Sequence, residues 1–264
     1  MITPRPITLN GQPVAGGKFP LICTPLVGRT LEDILAELAV VLPKNPDMLE
    51  WRVDFFKQIG DAAAVIATAF AIKVAAKDTP LLFTRRATIE GGEAIALTET
   101  QVVALYQAVC ASKCIDLIDY ELANDVAHVA QVRDAARANG VQLVLSFHNF
   151  AGTPALETLA AKFLSAEHLG GDVAKVAVMP QDLDDVLTLL AATRAASQKL
   201  HIPLISMAMG PLGAVTRLLG GVFGSSLTFA VGATASAPGQ IPIEDLQTVL
   251  AIIQKSMDDK PSGG

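Results

Sequence analysis

Eight times along the chain a short apolar or alternating run is followed by a longer Ala/Leu-rich stretch with helical spacing, and this rhythm restricts the fold more than any single residue does. The strand candidates are PLICTPL, MLEWRVD, PLLFTRR, CIDLIDYEL, QLVLSFHN, VAKVAVM, PLISMAM and SSLTFAVG. Helix candidates lie near 30–42, 57–76, 98–111, 125–138, 154–168, 180–198, 211–220 and 242–256. Thr98 with Gln101 three residues on, Asn124-Asp125 and Thr153-Pro154 mark helix starts, whereas Gly140 and Gly170-Gly171 stand where helices should stop. Eight strand–helix units within one domain's length predict an α/β fold, the (β/α)8 TIM barrel. A doubly wound sheet is the competing topology, but its first turn would be Gly-rich, and LVGRT has only Gly28. Asn10-Gly11 between extended residues reads as a hairpin turn. An N-terminal β-hairpin over 1–18 is therefore expected to close the bottom of the barrel, with 1–264 forming a single domain.

Composition sets the remaining bounds. The 264 residues are 51% hydrophobic and 17% charged with a net charge of -6, which leaves room for one large barrel and no basic surface for nucleic acid. MITPRPITLNGQP has no apolar signal-peptide core, and no apolar run of about 18 residues follows, so a cytoplasmic protein with no membrane partner is expected. Cys23, Cys110 and Cys114 make no disulfide framework. Cys110 and Cys114 have helical spacing but no nearby His or third Cys, so they read as small apolar fillers rather than metal ligands.

Strand parity locates the chemistry. Alternate residues of a barrel strand face the lumen, and catalysis sits at the strands' C-terminal ends. Glu50, Arg52 and Asp54 share one face of their run, Ser146 and His148 share one with Val144, and Asp119 and Glu121 share theirs. Lys175, with no acid beside it in VAKVAVM, aligns with Ala177 and Met179, which leaves Val176 and Val178 for the helices. A lone buried lysine or histidine is more often structural than catalytic, but four strands aiming ionisable groups into one lumen are hard to explain by structure alone. Lys175 and His148 lie one β–α unit apart, on neighbouring strands 5 and 6. A desolvated lysine amine is a nucleophile toward ketones, the protonated imine is an electron sink, and a nearby histidine can move the proton from the adjacent carbon.

Read together, the positions resemble the type I 3-dehydroquinate dehydratases (3-dehydroquinases). The matching segments are EWRVD at 50–54, TRRATIEGGE at 84–93, SFHNF at 146–150, KVAVM at 175–179, MGPLGAVTR at 209–217 and SAPGQ at 236–240. The resemblance implies syn dehydration of 3-dehydroquinate through a lysine imine, with no metal or organic cofactor and with a homodimeric assembly. Carried onto this chain it makes Lys175 the imine former, His148 the proton-transfer group and Glu90 its assisting carboxylate. It gives Arg217 the substrate carboxylate, and Glu50, Arg52 and Arg86 the ring hydroxyls and the organisation of the site. Ser236 and Gln240 fall in a loop over the substrate, and Met207, Met209 and Phe229 supply apolar walls. Taken alone, Arg217 reads as a solvated helix residue, Met207 and Met209 as core filler and SAPGQ as a turn. Arg85 stands where the family more often has an aromatic, and its parity away from the lumen suggests a rim or interface role. Thr216 replaces a more usual Ser and keeps the hydroxyl. Asp119 and Glu121 are expected to offset buried positive charge near Lys175 and Arg52. Two other readings stand beside this one. A class I aldolase acting on a sugar phosphate would bind its phosphate through backbone amides that GPLG and GATASAPG could supply. A barrel retained as a binding module would leave the ionisable lumen without use.

Overall fold

Runs of Val, Ile, Leu and aromatic residues suit a pleated strand covered on both faces, the situation of a parallel barrel strand. In the computed structural model, which describes residues 3–258, eight of them form β1 (Leu21–Leu26), β2 (Met48–Arg52), β3 (Leu81–Thr84), β4 (Leu117–Glu121), β5 (Gln142–Asn149), β6 (Val173–Val178), β7 (Leu204–Ala208) and β8 (Leu227–Val231). Residues 1–2 and 259–264 of the expected 1–264 unit lie outside the described residues. From β1 to β7 each strand pairs in parallel with the next, and β8 pairs with β1, Leu227 opposite Leu21. A short strand, Ile241–Pro242, adds in parallel to the other side of β8, and closure comes from a bridge between Leu204 of β7 and Ser225 just before β8, beside which Ser226 N–H donates to the Leu204 carbonyl at 2.8 Å. The sheet thus curls into the expected barrel.

Between the strands run α1 (Leu31–Val41), α2 (Ala62–Ala76), α3 (Glu99–Ser112), α4 (Val126–Asn139), α5 (Leu156–His168), α6 (Leu183–Ser197) and α7 (Gly210–Phe223), and α8 (Ile243–Asp258) follows β8. The Thr98–Gln101 capping box starts α3, Asp125 caps α4, and Gly140 ends α4 in the left-handed conformation. Three expectations need correction. The helix expected from 57 begins at Ala62, because Asp61 turns its carboxylate onto the Ala63 and Ala64 amides. Thr153-Pro154 does not cap α5; Ala155 holds that position without a side-chain bond. The pleat of MLEWRVD stops at Arg52, and a 3-10 turn over Val53–Phe55 brings the Asp54 carboxylate back onto the Arg52 guanidinium.

Two cores follow from parity. Leu49, Trp51, Phe83, Ile118, Leu145 and Val176 pack outward against the helices, while Leu21, Met48, Leu82, Leu117, Val173 and Leu227 fill the lumen near the strands' N-terminal ends. Ile7 and Val14 join that lumen cluster from the N-terminal hairpin, Thr8–Leu9 with Gln12–Pro13, whose turn places Asn10 and Gly11 at positive φ. The apolar floor forces polar lumen residues to the opposite end, where parallel barrels carry their sites. In the outer core Trp51 meets Phe56 and Phe83 edge-on, each at 5.6 Å between centroids, and Phe83 and Tyr106 continue the chain to Tyr120. Phe83→Ala removes the middle of this chain and should cost about 3–5 kcal/mol. Fluorescence of Trp51, the only tryptophan, should report a lower denaturant midpoint; an unchanged midpoint would contradict the packing assigned to Phe83.

Candidate active site

The strand register sets the central pair. Ser146 on β5 lies opposite Lys175 on β6, and His148 lies opposite Ala177, so His148 stands one same-face step nearer the C-terminal end than Lys175. The Lys175 side chain is only 4% exposed, and the acid missing from its own strand comes from β4. Its Nζ donates to Asp119 Oδ2 at 2.8 Å, lies 3.7 Å from Glu50 Oε1, and sits 4.6 Å from the centre of the Phe229 ring. Asp119 Oδ1 accepts from Ser146 Oγ at 2.6 Å and pairs with Arg86 Nη2 at 2.7 Å. Burial alone would raise the Asp119 carboxyl, but Arg86 and Lys175 outweigh it and hold Asp119 far below the ordinary carboxylate range. Asp119 therefore anchors the ammonium and is a poor acceptor for its proton.

His148 and Glu90 form the second unit. Glu90 Oε2 accepts the His148 backbone N–H at 3.1 Å and lies 2.8 Å from the ring Nδ1. An oxygen already serving as acceptor favours the Nδ1–H tautomer, which leaves Nε2 with its lone pair free for proton transfer. Burial, Arg86 and Lys175 push the imidazole well below its usual pKa. Burial also pushes the Glu90 carboxyl up to about 8, with Glu121 and Asp119 adding to the rise and Arg86 opposing it. The EGG sequence has a local cause: a side chain at Gly91 would strike the Phe150 ring, and one at Gly92 would strike the Arg86 carbonyl.

Arg217 reverses its isolated reading. It sits in the second turn of α7 and is 1% exposed. Thr216 holds that turn to the barrel by accepting the Ala208 N–H at 2.9 Å while donating to the Gly213 carbonyl. The Arg217 guanidinium touches the Phe229 and Pro238 carbonyls at 3.4 and 3.3 Å and has no carboxylate partner among the described residues. Its Nε has no acceptor, and burial lowers its pKa to about 10. A buried cation that the protein itself does not neutralise is suited to an anionic ligand. The 236–240 segment lies against it: Gln240 brackets Ser236 with bonds of 3.0 and 3.2 Å, and Arg52 donates to the Ser236 carbonyl at 3.4 Å.

Eleven of the residues expected at the site (Lys175, His148, Glu90, Glu50, Arg52, Arg86, Met207, Arg217, Phe229, Ser236 and Gln240) line one pocket with about 460 Å³ of empty space, and the expected Met209 joins them. Ala177, Phe150, Gly91 and Ala237 complete its lining. Phe150 was legible in SFHNF as the residue two beyond His148. The supporting acids divide differently from expectation. Asp119 serves Lys175 and Arg86, Glu121 serves Arg86 at 3.1 Å, and Arg52 takes Asp54 in a two-point pair at 2.9 and 2.7 Å. Arg85 is not at the rim. It is 5% exposed, faces the helix layer and pairs with Glu99 of α3.

The family model for type I 3-dehydroquinase matches residues 22–257. A 3-dehydroquinate dehydratase from Albidiferax ferrireducens is 68% identical over 259 residues, covering 98% of each chain. The crystal structure of 3-dehydroquinate dehydratase from Geobacillus kaustophilus matches with a TM-score of 0.92 at 50% identity, over 96% of this chain and 98% of that one. The type I enzyme of Clostridium difficile, solved with covalently modified comenic acid, gives a TM-score of 0.90 at 34% identity over 96% and 99% of the two chains.

The His148 environment makes a direct prediction. Free imidazole is half protonated near pH 6.5. Nitrogen NMR of His148 at that pH should instead show a neutral ring in the Nδ1–H tautomer. Half-protonation, or the opposite tautomer, would contradict the geometry.

Proposed function

The chain belongs to the type I 3-dehydroquinase family, whose reaction is the dehydration of 3-dehydroquinate to 3-dehydroshikimate in the shikimate pathway, and we propose how its own residues carry that reaction. The observation that supports the assignment is the shared pocket: a buried amine, a neutral imidazole and a guanidinium without a carboxylate partner. Family membership also sets aside the aldolase and binding-module alternatives.

Lys175 must lose a proton to become a nucleophile. Asp119 is too weak a base to take it, so the proton passes to Nε2 of His148. The free amine adds to the C3 carbonyl. The resulting carbinolamine hydroxyl takes a proton from the imidazolium and leaves as water, giving the protonated imine. His148, neutral again, removes the C2 proton, and the C–H electron pair flows into the iminium to form an enamine. The enamine then expels the C1 hydroxyl, which leaves as water with the proton held by His148. Hydrolysis of the conjugated iminium consumes one water and returns Lys175 as the ammonium. The net change is loss of one water from the substrate.

Glu90, as a carboxylate, holds the Nδ1–H and stabilises the imidazolium that forms at each proton uptake. Arg217 receives the substrate carboxylate. Glu50, Arg52, Ser236 and Gln240 hold ring hydroxyls, Arg86 keeps the acids in place, and Met207 with Phe229 packs against the ring. A homodimer in the cytoplasm completes the proposal. The dimer is supported by α2, whose Phe70 and Val74 are 60% and 61% exposed on one helix face.

Mixing protein with 3-dehydroquinate should produce the absorbance of a conjugated enone; its absence would overturn the assignment. Arg217→Ala should raise KM at least tenfold, since a hydrogen bond to a charged group contributes about 1.5–3 kcal/mol. The loss in kcat should be smaller, because the carboxylate is remote from the bond that breaks. An unchanged KM would remove Arg217 from its role.

A further inference from the structure

Consecutive arginines at the end of β3 point to opposite sides of the barrel wall. Arg86 enters the lumen, and Arg85 enters the helix layer. Between them lies the Glu121 carboxylate at the end of β4. Its Oε1 takes Arg86 Nη1 at 3.1 Å and the Ala87 N–H at 2.7 Å, and its Oε2 lies 3.7 Å from Arg85 Nη1 and 3.2 Å from Asn124 Nδ2. On the far side Arg85 pairs with Glu99 of α3, whose other oxygen accepts the Tyr120 hydroxyl at 2.6 Å. The Arg85 backbone N–H donates to Tyr106 Oη, and Tyr106 donates in turn to the Asp119 carbonyl at 2.7 Å.

The charges therefore alternate through the wall: Glu99, Arg85, Glu121, Arg86, then Glu90, which lies 3.7 Å from Arg86 Nη1 and bonds His148. Arg85 is faced by Glu99 and Tyr106 from α3 and by Tyr120 and Glu121 from β4. Glu90 is faced by Arg86 from the end of β3, by Asp119 and Glu121 from β4 and by His148 from β5. Lys175 and Arg52 act on it through His148.

We propose that Arg85 is a positioning residue for the reaction: from outside the pocket it fixes Glu121 between two guanidiniums, and so governs how readily the Glu90–His148 pair gives up its proton. The inference rests on the role given to Glu90 above. An ion pair in the helix layer would not by itself be connected to the chemistry, but Glu121 is shared between the two layers. If Arg85 loses its charge, Glu121 and Glu99 are left in excess and the Glu90 carboxylate is disfavoured. If Glu99 loses its charge, more of Arg85's field falls on Glu121, and the Glu90 carboxylate is favoured.

The readout is the pH profile of kcat/KM, which reports ionisations of the free enzyme and should rise with pH through the ionisation of the Glu90–His148 pair. Arg85→Met should move this rise to higher pH by roughly half a unit or more, and Glu99→Gln should move it to lower pH. The double variant should fall between the two, and Arg85→Lys, which keeps the charge, should remain near wild type. A purely structural role would lower Tm without displacing the two profiles in opposite directions. Profiles that stay put, or that move in the same direction in both single variants, would overturn the proposal. Should Arg85→Met fail to fold, Glu99→Gln and Arg85→Lys still decide, and an unmoved profile in Glu99→Gln would overturn it. Glu90→Gln separates the two layers of the argument. If the rise stays at its wild-type pH in that variant, the role of Glu90 fails. If it is displaced there yet is unmoved by Arg85→Met and Glu99→Gln, only the proposal for Arg85 fails.

Discussion

A charged lysine in the middle of a buried barrel strand calls for a carboxylate partner, and in this chain that carboxylate is Asp119, from β4. The contact at 2.8 Å explains how the ammonium is tolerated before any substrate chemistry begins. It also fixes its neighbours. The second oxygen of Asp119 binds Arg86 and Ser146, Arg86 binds Glu121, and Thr84 donates to Glu50 beside the amine. Removing one member of a buried ion pair leaves an uncompensated charge costing about 3–5 kcal/mol. The lumen must accordingly be built as a balanced set rather than residue by residue.

That balance separates the site's groups by function. Asp119 is held ionised by two cations and acts as an anchor. Burial beside two other acids pushes Glu90 up to about 8, and burial with neighbouring cations drives His148 down, so the two groups' proton affinities are moved in opposite directions. Arg217 has no carboxylate partner among the described residues and faces carbonyls instead. One type of side chain thus anchors a lysine or supports a proton-carrying histidine, according to whether cations or acids surround it.

Much of this was legible in the sequence because barrel strands obey a period of two. Parity placed Glu50, His148 and Lys175 in the lumen and Trp51 and Val176 outside it. Parity ceased to help where the pleat ended. Asp54 lies within a 3-10 turn, so its pairing with Arg52 required knowing that the strand stops at Arg52. Arg85 was placed on the correct side of the wall, but its burial depended on Glu99, a residue from the following helix that no spacing rule links to it. Arg217 is the plainest case: helical position cannot reveal that the 236–240 segment and β8 cover it.

The central claim is that Lys175 is the nucleophile while His148 moves protons around an adduct already formed. Borohydride reduction in the presence of 3-dehydroquinate, followed by peptide mass analysis, tests this most directly. Wild-type protein should carry a stable ligand adduct on Lys175, Lys175→Ala should carry none, and His148→Ala should form the adduct more slowly and retain the water that turnover would have removed. Equal trapping after Lys175 is replaced, or an adduct mapped to another lysine, would contradict the account.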